Sequence, residues 1–134
     1  MKMWVAGKIQ RIRVTDKSLN YNGSVSIDAK LMGLAGIEAY EQVDIVNLSN
    51  GARWTTYAIP AEQGVFSLNG GGARLGEIGD RCVIMTYKMA EKFEPAPVVY
   101  IRSDTANNEV DRRFYYEQDK PIAAKDQVLE TIEA

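Results

Sequence analysis

The bond between Gly23 and Ser24 is the first place in the chain where residue types and spacing suggest chemistry. The glycine carbonyl has no side chain to shield it, and a serine hydroxyl follows directly. A strained turn could hold that hydroxyl against the carbonyl and permit an N-to-O acyl shift, in which the serine attacks the backbone. The same stretch has a simpler interpretation, because Asn22-Gly23 is typical of a β-hairpin tip. The dipeptide alone leaves both interpretations open.

Missing residue types limit the other chemistry that is available. The chain has no histidine and one cysteine, Cys82, so Ser-His or Cys-His catalysis, His-ligated zinc and CxxC redox chemistry are excluded within it. An enzyme of this composition must use carboxylates, Lys, Tyr, or a cofactor that is external or self-made. Cys82 opens an apolar run to Met85 and is predicted to be a buried hydrophobic residue.

Length and charge narrow the class of protein further. The 134 residues, 46% of them hydrophobic and 25% charged, predict one domain with a substantial core. A net charge of -2 gives no reason to expect nucleic acid or an anionic membrane as a partner. No apolar run approaches a membrane span, and the first residues lack a signal-peptide pattern. We therefore expect a cytoplasmic protein that binds neither nucleic acid nor membrane.

Short strands between glycine- and asparagine-rich turns dominate the predicted secondary structure. Strands are expected over residues 4–14, 41–48, 52–59, 65–68, 81–87 and 98–101. Residues 16–18 are interpreted as a turn, and Pro60 as the end or the edge of its strand. Six or seven short strands with little helix predict a small closed β-barrel.

Two helices are expected. Asp28 is placed to cap a short helix from Ala29 to Ala35 that ends at Gly36. A second helix could form in the tail from Ile122 to Ala134, where apolar residues fall on one face.

Three consecutive glycines follow Asn69, at positions 70–72. They indicate either a flexible turn or a backbone that comes close to another group. The segment is not a phosphate-binding loop, because the Gly-Lys-Ser/Thr sequence is missing.

Several short motifs occur together in one order: Gly7-Lys8-Ile9, Tyr21-Asn22-Gly23-Ser24, Asp44-Ile45, Asn50-Gly51, Arg53, Thr56-Tyr57-Ala58-Ile59 and Asn69-Gly70. In that order and spacing they resemble the pyruvoyl-dependent aspartate 1-decarboxylases of bacterial pantothenate synthesis. The resemblance implies a mainly β protein, a small double-psi β-barrel with short helices, assembled as a homotetramer with active sites between subunits. It places the self-processing decarboxylase barrel in residues 1–103 and leaves 104–134 as a polar C-terminal extension with a helical tail.

The resemblance also implies a prosthetic group made from the chain itself. In this family the serine corresponding to Ser24 attacks the carbonyl of Gly23, the ester undergoes β-elimination, and hydrolysis leaves an N-terminal pyruvoyl group. The pyruvoyl carbonyl forms a Schiff base with the substrate amine and accepts electrons as CO2 leaves. It replaces pyridoxal phosphate, and no metal is expected. Such chemistry accounts for the missing histidines.

Site residues are carried over by position. Thr56 is implied to steady the Gly23 carbonyl during self-cleavage, and Asn69 to lie near the pyruvoyl group and its precursor. Tyr57 matches the proton donor to the product carbanion. The substrate-binding residues implied are Lys8 and Arg53 for the carboxylate, with Gly70, Gly71 and Gly72 as backbone N–H donors.

Three functions are weighed. The first is decarboxylation of L-aspartate to β-alanine, supported by the retained Lys8 and Arg53. The second is decarboxylation of a larger or apolar L-amino acid, motivated by Val46, where many members carry Trp, and by glycines in place of alanines at 71 and 72. The third is an unprocessed, non-catalytic barrel, since Ser24 stands as serine in one continuous sequence. The sequence leaves the need for a maturation partner open.

Overall fold

The structure, a computed structural model, describes residues 1–19 and 23–123. Its strands are β1 (Lys2–Arg13), β2 (Asp16–Ser18), β3 (Val25–Asp28), β4 (Gln42–Asn47), β5 (Arg53–Ala61), β6 (Phe66–Asn69), β7 (Arg81–Ala90), β8 (Ala96–Ile101) and β9 (Val110–Tyr116). Helix α1 (Ala29–Ala35) follows β3, and a 3₁₀ helix (Gly70–Leu75) follows β6. The predicted mainly β class is confirmed, with nine strands in the described residues where six or seven were expected. No helix among these residues is long and apolar enough to cross a membrane.

All nine strands belong to one mixed sheet in the order β2-β6-β3-β5-β4-β7-β1-β8-β9. Strands β2 and β9 are its edges, so the ladder of hydrogen bonds does not close. In a flat sheet β6 and β8 would lie about 29 Å apart, six strand spacings. Phe66 of β6 and Val99 of β8 nevertheless belong to one buried cluster. The sheet therefore curls around a single core, as expected for a barrel-like fold.

Asn108, in the loop before β9, ties distant segments of the curled sheet together. Its Nδ2 donates to the carbonyls of Arg13 at 3.0 Å and Gly64 at 2.9 Å, and its Oδ1 accepts from the Arg13 amide at 2.8 Å. Arg13 ends β1, whereas Gly64 lies between β5 and β6. One buried amide thus satisfies backbone groups of two segments far apart in the sequence.

Helix α1 has the predicted bounds and both predicted caps. Asp28 Oδ1 accepts from the amides of Lys30 at 2.8 Å and Leu31 at 3.3 Å, which satisfies two of the free donors at a helix N terminus. Gly36 ends the helix with φ +71°, the left-handed conformation that glycine adopts most easily.

The residues predicted as a turn at 16–18 instead form strand β2, which pairs in parallel with β6. Strand β3 pairs antiparallel with the other side of β6. The two strands that flank Gly23 are therefore separated by β6, whereas the arms of a hairpin pair with each other. The hairpin interpretation of Asn22-Gly23 is wrong, although Asn22 itself lies outside the described residues. Pairing with β6 outweighs the turn-like local sequence of 16–18.

Strand β9 lies in the predicted polar extension and pairs antiparallel with β8. Sequence reasoning missed it because Asp111, Arg112 and Arg113 make the segment polar. Only alternate residues of β9 are half-buried, as in an edge strand with one wet face. The predicted tail helix falls largely on residues 124–134, which lie outside the described residues.

Pro60 lies within β5, one residue before its end, and pairs with Ile27 of β3. The amide and carbonyl of Ala58 bond to residues 41 and 40, on the β4 side. The nitrogen of Pro60, two residues later, points to the same side. Strand β4 begins at Gln42 and does not extend to that position, so the missing N–H costs no hydrogen bond of the ladder.

Candidate functional site

Ser24 has an unusual backbone conformation directly before β3. Its φ is +105°, a region that disfavours residues with a Cβ at a cost of about 1–3 kcal/mol. The residue is only 2% exposed, whereas Gly23 before it is exposed. The predicted cleavage bond therefore joins an exposed glycine to a buried serine in a strained conformation.

Three hydrogen bonds hold Ser24 from two neighbouring strands. The Ser24 amide donates to Thr56 Oγ1 of β5 at 3.1 Å. Asn69 of β6 donates from Nδ2 to Ser24 Oγ at 3.0 Å, and from its backbone amide to the Ser24 carbonyl at 3.2 Å. The structure thus brings Gly23, Ser24, Thr56 and Asn69 together, and the roles in self-cleavage that the resemblance implies for them stay predictions.

The side-chain amide of Asn69 is itself fixed by two further serines. Nδ2 also donates to Ser26 Oγ at 3.0 Å, and Ser67 Oγ donates to Oδ1 at 2.9 Å. Both amide hydrogens are used, which defines the orientation of the side chain. Sequence reasoning missed Ser26 and Ser67. The available signal was strand alternation, since each lies two residues from Ser24 or Asn69 and shares its face.

Buried pairing between strands explains why these residues meet. Val25 of β3 pairs with Ala58 of β5 on one side and Leu68 of β6 on the other. All three side chains are fully buried. The polar residues next to these pairs are therefore placed at one end of the three strands, where Ser24 lies.

The three glycines after Asn69 begin the 3₁₀ helix, and two of them have a structural reason to be glycine. Gly70 has φ +64°. A Cβ on Gly72 would lie 3.1 Å from Nε1 of Trp54, so the helix backbone packs closely against the indole. A Cβ on Gly71 would meet nothing within 4 Å. Their predicted donation of backbone N–H groups to a substrate stays a prediction.

Arg53, at the start of β5, is held by two side chains of neighbouring strands. Its Nη2 donates to Asp44 Oδ2 at 3.2 Å and to Tyr87 Oη at 3.0 Å. Thr55 Oγ1 donates to the other oxygen of Asp44 at 2.7 Å, which orients that carboxylate. The hydrogen bonds to Asp44 and then Tyr87 raise the pKa of the Arg53 guanidinium above its ordinary value. Arg53 is a permanent, oriented cation.

Lys8 lies in the middle of β1 and is half-buried. Its Nζ donates to Tyr116 Oη, at the end of β9, at 3.1 Å. This contact crosses β8, the strand that pairs with both β1 and β9.

Lys8, Arg53 and Tyr57 share the outer face of the sheet. Lys8 is in register with Met85 of β7, and Met85 with Asp44 of β4. Because paired residues point to the same face, Lys8 lies on the face of the Asp44–Arg53 ion pair. Tyr57 follows Arg53 by four residues in β5 and points the same way. Strands β5 and β1 are three spacings apart, about 14 Å.

Thr56 points to the opposite face of β5 from Arg53 and Tyr57, because successive residues of a strand alternate. Thr56 contacts the backbone amide of Ser24. Ser26 is in register with Ile59, which follows Tyr57 by two residues, so the side-chain cluster of Ser24, Ser26 and Asn69 lies on the face of Tyr57. The ring of Tyr57 stacks on Tyr40 with a centroid distance of 6.4 Å. Within the described residues, no group of three or more His, Cys, Asp or Glu side chains is gathered that could hold a metal ion.

Comparison with known proteins gives a consistent result. A family model described as aspartate decarboxylase matches residues 1–110. The proteins named aspartate 1-decarboxylase from Kosmotoga olearia and Campylobacter jejuni are 45% and 47% identical to the chain over 107 and 105 residues. These alignments cover 78% and 74% of this chain, and 93% and 83% of the relatives. A third, from Psychromonas ingrahamii, is 46% identical over 113 residues, covering 80% of this chain and 88% of the relative.

Proposed function

The chain belongs to the aspartate decarboxylase family, and from that premise we propose that it converts L-aspartate to β-alanine and CO2 with a pyruvoyl group made from its own Ser24. The observation that carries the proposal is the environment of the Gly23–Ser24 bond. A buried serine with φ +105° receives a hydrogen bond from Asn69 on its hydroxyl and donates its amide hydrogen to Thr56. Strain and orientation of this kind favour a reaction at the backbone.

Self-cleavage starts with attack of Ser24 Oγ on the Gly23 carbonyl carbon. The new C–O bond forms as the C–N bond breaks, and the hydroxyl proton is transferred to the nitrogen, which becomes a free amine. Elimination across Cα–Cβ of residue 24 then breaks the ester and releases the Gly23 carboxylate. Hydrolysis of the resulting enamine releases ammonia and leaves the pyruvoyl group. The amide of Asn69 positions Oγ for the first step, and Thr56 contacts the nitrogen that leaves.

The residues present fit a pyruvoyl group at position 24. Ser24 Oγ leaves with Gly23, so the Asn69 Nδ2 hydrogen that binds it would become available to the new carbonyl at Cα, while the Asn69 backbone amide would keep its bond to the carbonyl of residue 24. When formed, the pyruvoyl group binds the substrate amine covalently and withdraws electrons as CO2 leaves. The amide of Asn69, fixed by Ser67, then orients the group from β6.

Arg53 and Lys8 supply the positive charge that an aspartate carboxylate requires. A guanidinium oriented by Asp44 suits a planar carboxylate, and a lysine ammonium adds a point charge. Tyr57, on the same face, is the proposed proton donor to the product. The proposal includes a homotetramer with active sites between subunits, as the family resemblance implies. A cytoplasmic location, predicted from the single cysteine, is also part of the proposal.

A larger or apolar amino acid has weaker support as the substrate. Its motivations are Val46 and the glycines at 71 and 72, and of these Gly72 packs against Trp54 instead of opening space. An apolar side chain would also leave one of the two cations, Arg53 or Lys8, without a carboxylate partner. Comparing CO2 release from aspartate, glutamate, methionine and leucine separates the two substrates, and turnover of methionine at the rate of aspartate would contradict the proposal.

The decisive experiment is denaturing intact-mass spectrometry of the purified protein with and without borohydride. We expect two fragments split between residues 23 and 24, with the larger one reducible at its N terminus. Ser24→Ala is the matched control, which we expect to remain folded, uncleaved and inactive. A single full-length mass after prolonged incubation, both alone and with lysate from a producing organism, would contradict self-processing. The unprocessed, non-catalytic barrel would then be the remaining interpretation.

A further inference from the structure

We propose that Tyr116 of β9 is a positioning residue for Lys8, so that the C-terminal strand completes the substrate-binding face. This inference rests on the proposed function, in which Lys8 binds the carboxylate of aspartate. Tyr116 lies beyond residues 1–110, the region that the family model matches.

The phenol of Tyr116 is placed for this role by the strand pairing of β9. Tyr116 is in register with Ala96 of β8, and Phe114 with Val98. Val98 is in turn in register with Lys8 of β1. All five side chains therefore share the outer face, and a long lysine side chain can reach the end of β9. The Tyr116 ring also packs edge-to-face on Phe114 at a centroid distance of 5.8 Å.

The contact constrains a side chain that is otherwise flexible. Lys8 Nζ donates to Tyr116 Oη at 3.1 Å and lies 5.5 Å from the centroid of its ring. An ammonium group has three hydrogens, so two remain for a carboxylate when one is bound to the phenol. A lysine ammonium is a mobile point charge, and holding it in place reduces the conformational entropy lost when a carboxylate binds.

The expected signature is a change in substrate binding without a change in chemistry. We take the carboxylate bound by Lys8 to be the side-chain carboxylate of aspartate, which does not react, so contacts to it are equal in the ground state and the transition state. Weakening them raises KM and leaves kcat unchanged. Because Tyr116 acts through Lys8 and does not touch the substrate, we expect an effect on the scale of an ordinary hydrogen bond, roughly 3- to 10-fold. Self-cleavage should be unaffected, because Ser24 is held by Thr56 and Asn69 and not by Tyr116 or Lys8.

The test compares Tyr116→Phe with Tyr115→Phe in the full chain. Tyr115 is the neighbour in β9, 45% exposed, and contacts Arg113 instead of Lys8. Both variants keep the aromatic ring, so the strand and its packing are retained. For Tyr116→Phe we expect full cleavage, unchanged kcat and a KM for aspartate raised about 3- to 10-fold. We expect wild-type kinetics for Tyr115→Phe.

A second readout separates failure of this inference from failure of the proposed function. Succinate has two carboxylates but no amine, so its binding, measured by calorimetry, reports on the cations without turnover. We expect Tyr116→Phe to weaken succinate binding by the same factor as the KM effect. Unchanged binding and KM, or a loss of kcat alone, would overturn the role of Tyr116. Absence of aspartate turnover in the wild type would count against the proposed function, and the succinate comparison would still decide on Tyr116.

Discussion

The amide nitrogen of Ser24 lies 3.1 Å from Thr56 Oγ1 and donates its hydrogen to that oxygen. This nitrogen belongs to the peptide bond that the proposed self-cleavage breaks. The resemblance implied that Thr56 steadies the Gly23 carbonyl, which is the other end of the same peptide unit. The hydroxyl of Thr56 keeps its own hydrogen after accepting from Ser24, so one side chain can serve both ends.

Loss of the Thr56 hydroxyl should slow self-cleavage. Thr56→Val preserves the shape of the side chain but removes the acceptor for the Ser24 amide, and we expect cleavage to be at least about tenfold slower. Thr56→Ser keeps the hydroxyl and should cleave close to the wild-type rate. The measurement is the fraction of full-length chain against time by denaturing mass spectrometry. Equal rates for the valine variant and the wild type would contradict this role.

Tyr57 should matter for turnover and not for processing. The hydrogen bonds that hold Ser24 come from Thr56 and Asn69 and not from Tyr57, whose ring stacks on Tyr40. We expect Tyr57→Phe to cleave fully and to lose kcat by about 10²-fold or more, the usual contribution of a proton donor. Tyr40→Phe is the control, because its ring can still stack on Tyr57. Full activity in Tyr57→Phe would reject the proton-donor assignment.

Elements whose conformation depends on neighbouring residues in the sequence were predicted correctly. The cap at Asp28 and the glycine at 36 defined helix α1 at both ends, because capping depends on residues within one turn. Strand β2 could not be predicted in this way. Its three exposed residues form a strand only because β6, about 50 residues later, provides the partner.

In the candidate site, too, some residues could be identified from the sequence and others only from contacts between distant segments. Ser24, Thr56 and Asn69 were identified through the resemblance, and the strand pairing brings them together. The partners that orient the site, Ser67 for Asn69 and Tyr116 for Lys8, come from contacts that no local pattern encodes. The position of Tyr116 in particular depends on β9, an edge strand that the sequence did not predict because its residues are polar and charged.

Tyr87→Phe should weaken substrate binding through Arg53. The variant removes the phenol oxygen that accepts from Arg53 Nη2 and leaves the bond to Asp44 in place. We expect a KM for aspartate raised about 2- to 5-fold with unchanged kcat, since the exposed guanidinium is still anchored on one side. Arg53→Lys should have a larger effect, because a lysine cannot bind a carboxylate through two parallel N–H groups. Steady-state kinetics on fully cleaved protein measure both, and an unchanged KM in both variants would remove Arg53 from the substrate site.

Cys82 should make stability fall at alkaline pH. Burial, with a further contribution from Asp80, raises the pKa of the Cys82 thiol from 9.0 to about 12. The unfolded chain therefore loses this proton above about pH 9 while the folded protein retains it, and stability is lost as the pH rises toward 12. Denaturant unfolding at pH 8 and pH 10 measures the loss. Because lysines and tyrosines also titrate there, Cys82→Ala is the control, and an equal decline in this variant would contradict the contribution of the thiol.

Gly7→Ala should destabilise the protein at the contact between β1 and helix α1. A Cβ at residue 7 would lie 2.1 Å from the backbone oxygen of Ala35 and 3.2 Å from Cγ2 of Thr86. The first neighbour is the last residue of α1, so the clash can be relieved only by moving the helix away from the sheet. We expect the free energy of unfolding to fall by about 2 kcal/mol or more.

Gly33→Ala is the matched control for this prediction. Gly33 lies on the exposed side of α1, and a Cβ there would meet nothing within 4 Å. In a helix, alanine in place of glycine should raise stability by about 0.5–1 kcal/mol. The two substitutions add the same methyl group and should change the free energy of unfolding in opposite directions, as measured with denaturant. A similar effect of both would mean that α1 is not packed against Gly7. Since Lys8 is the next residue, displacement of the helix should also raise the KM for aspartate in Gly7→Ala and leave it unchanged in Gly33→Ala.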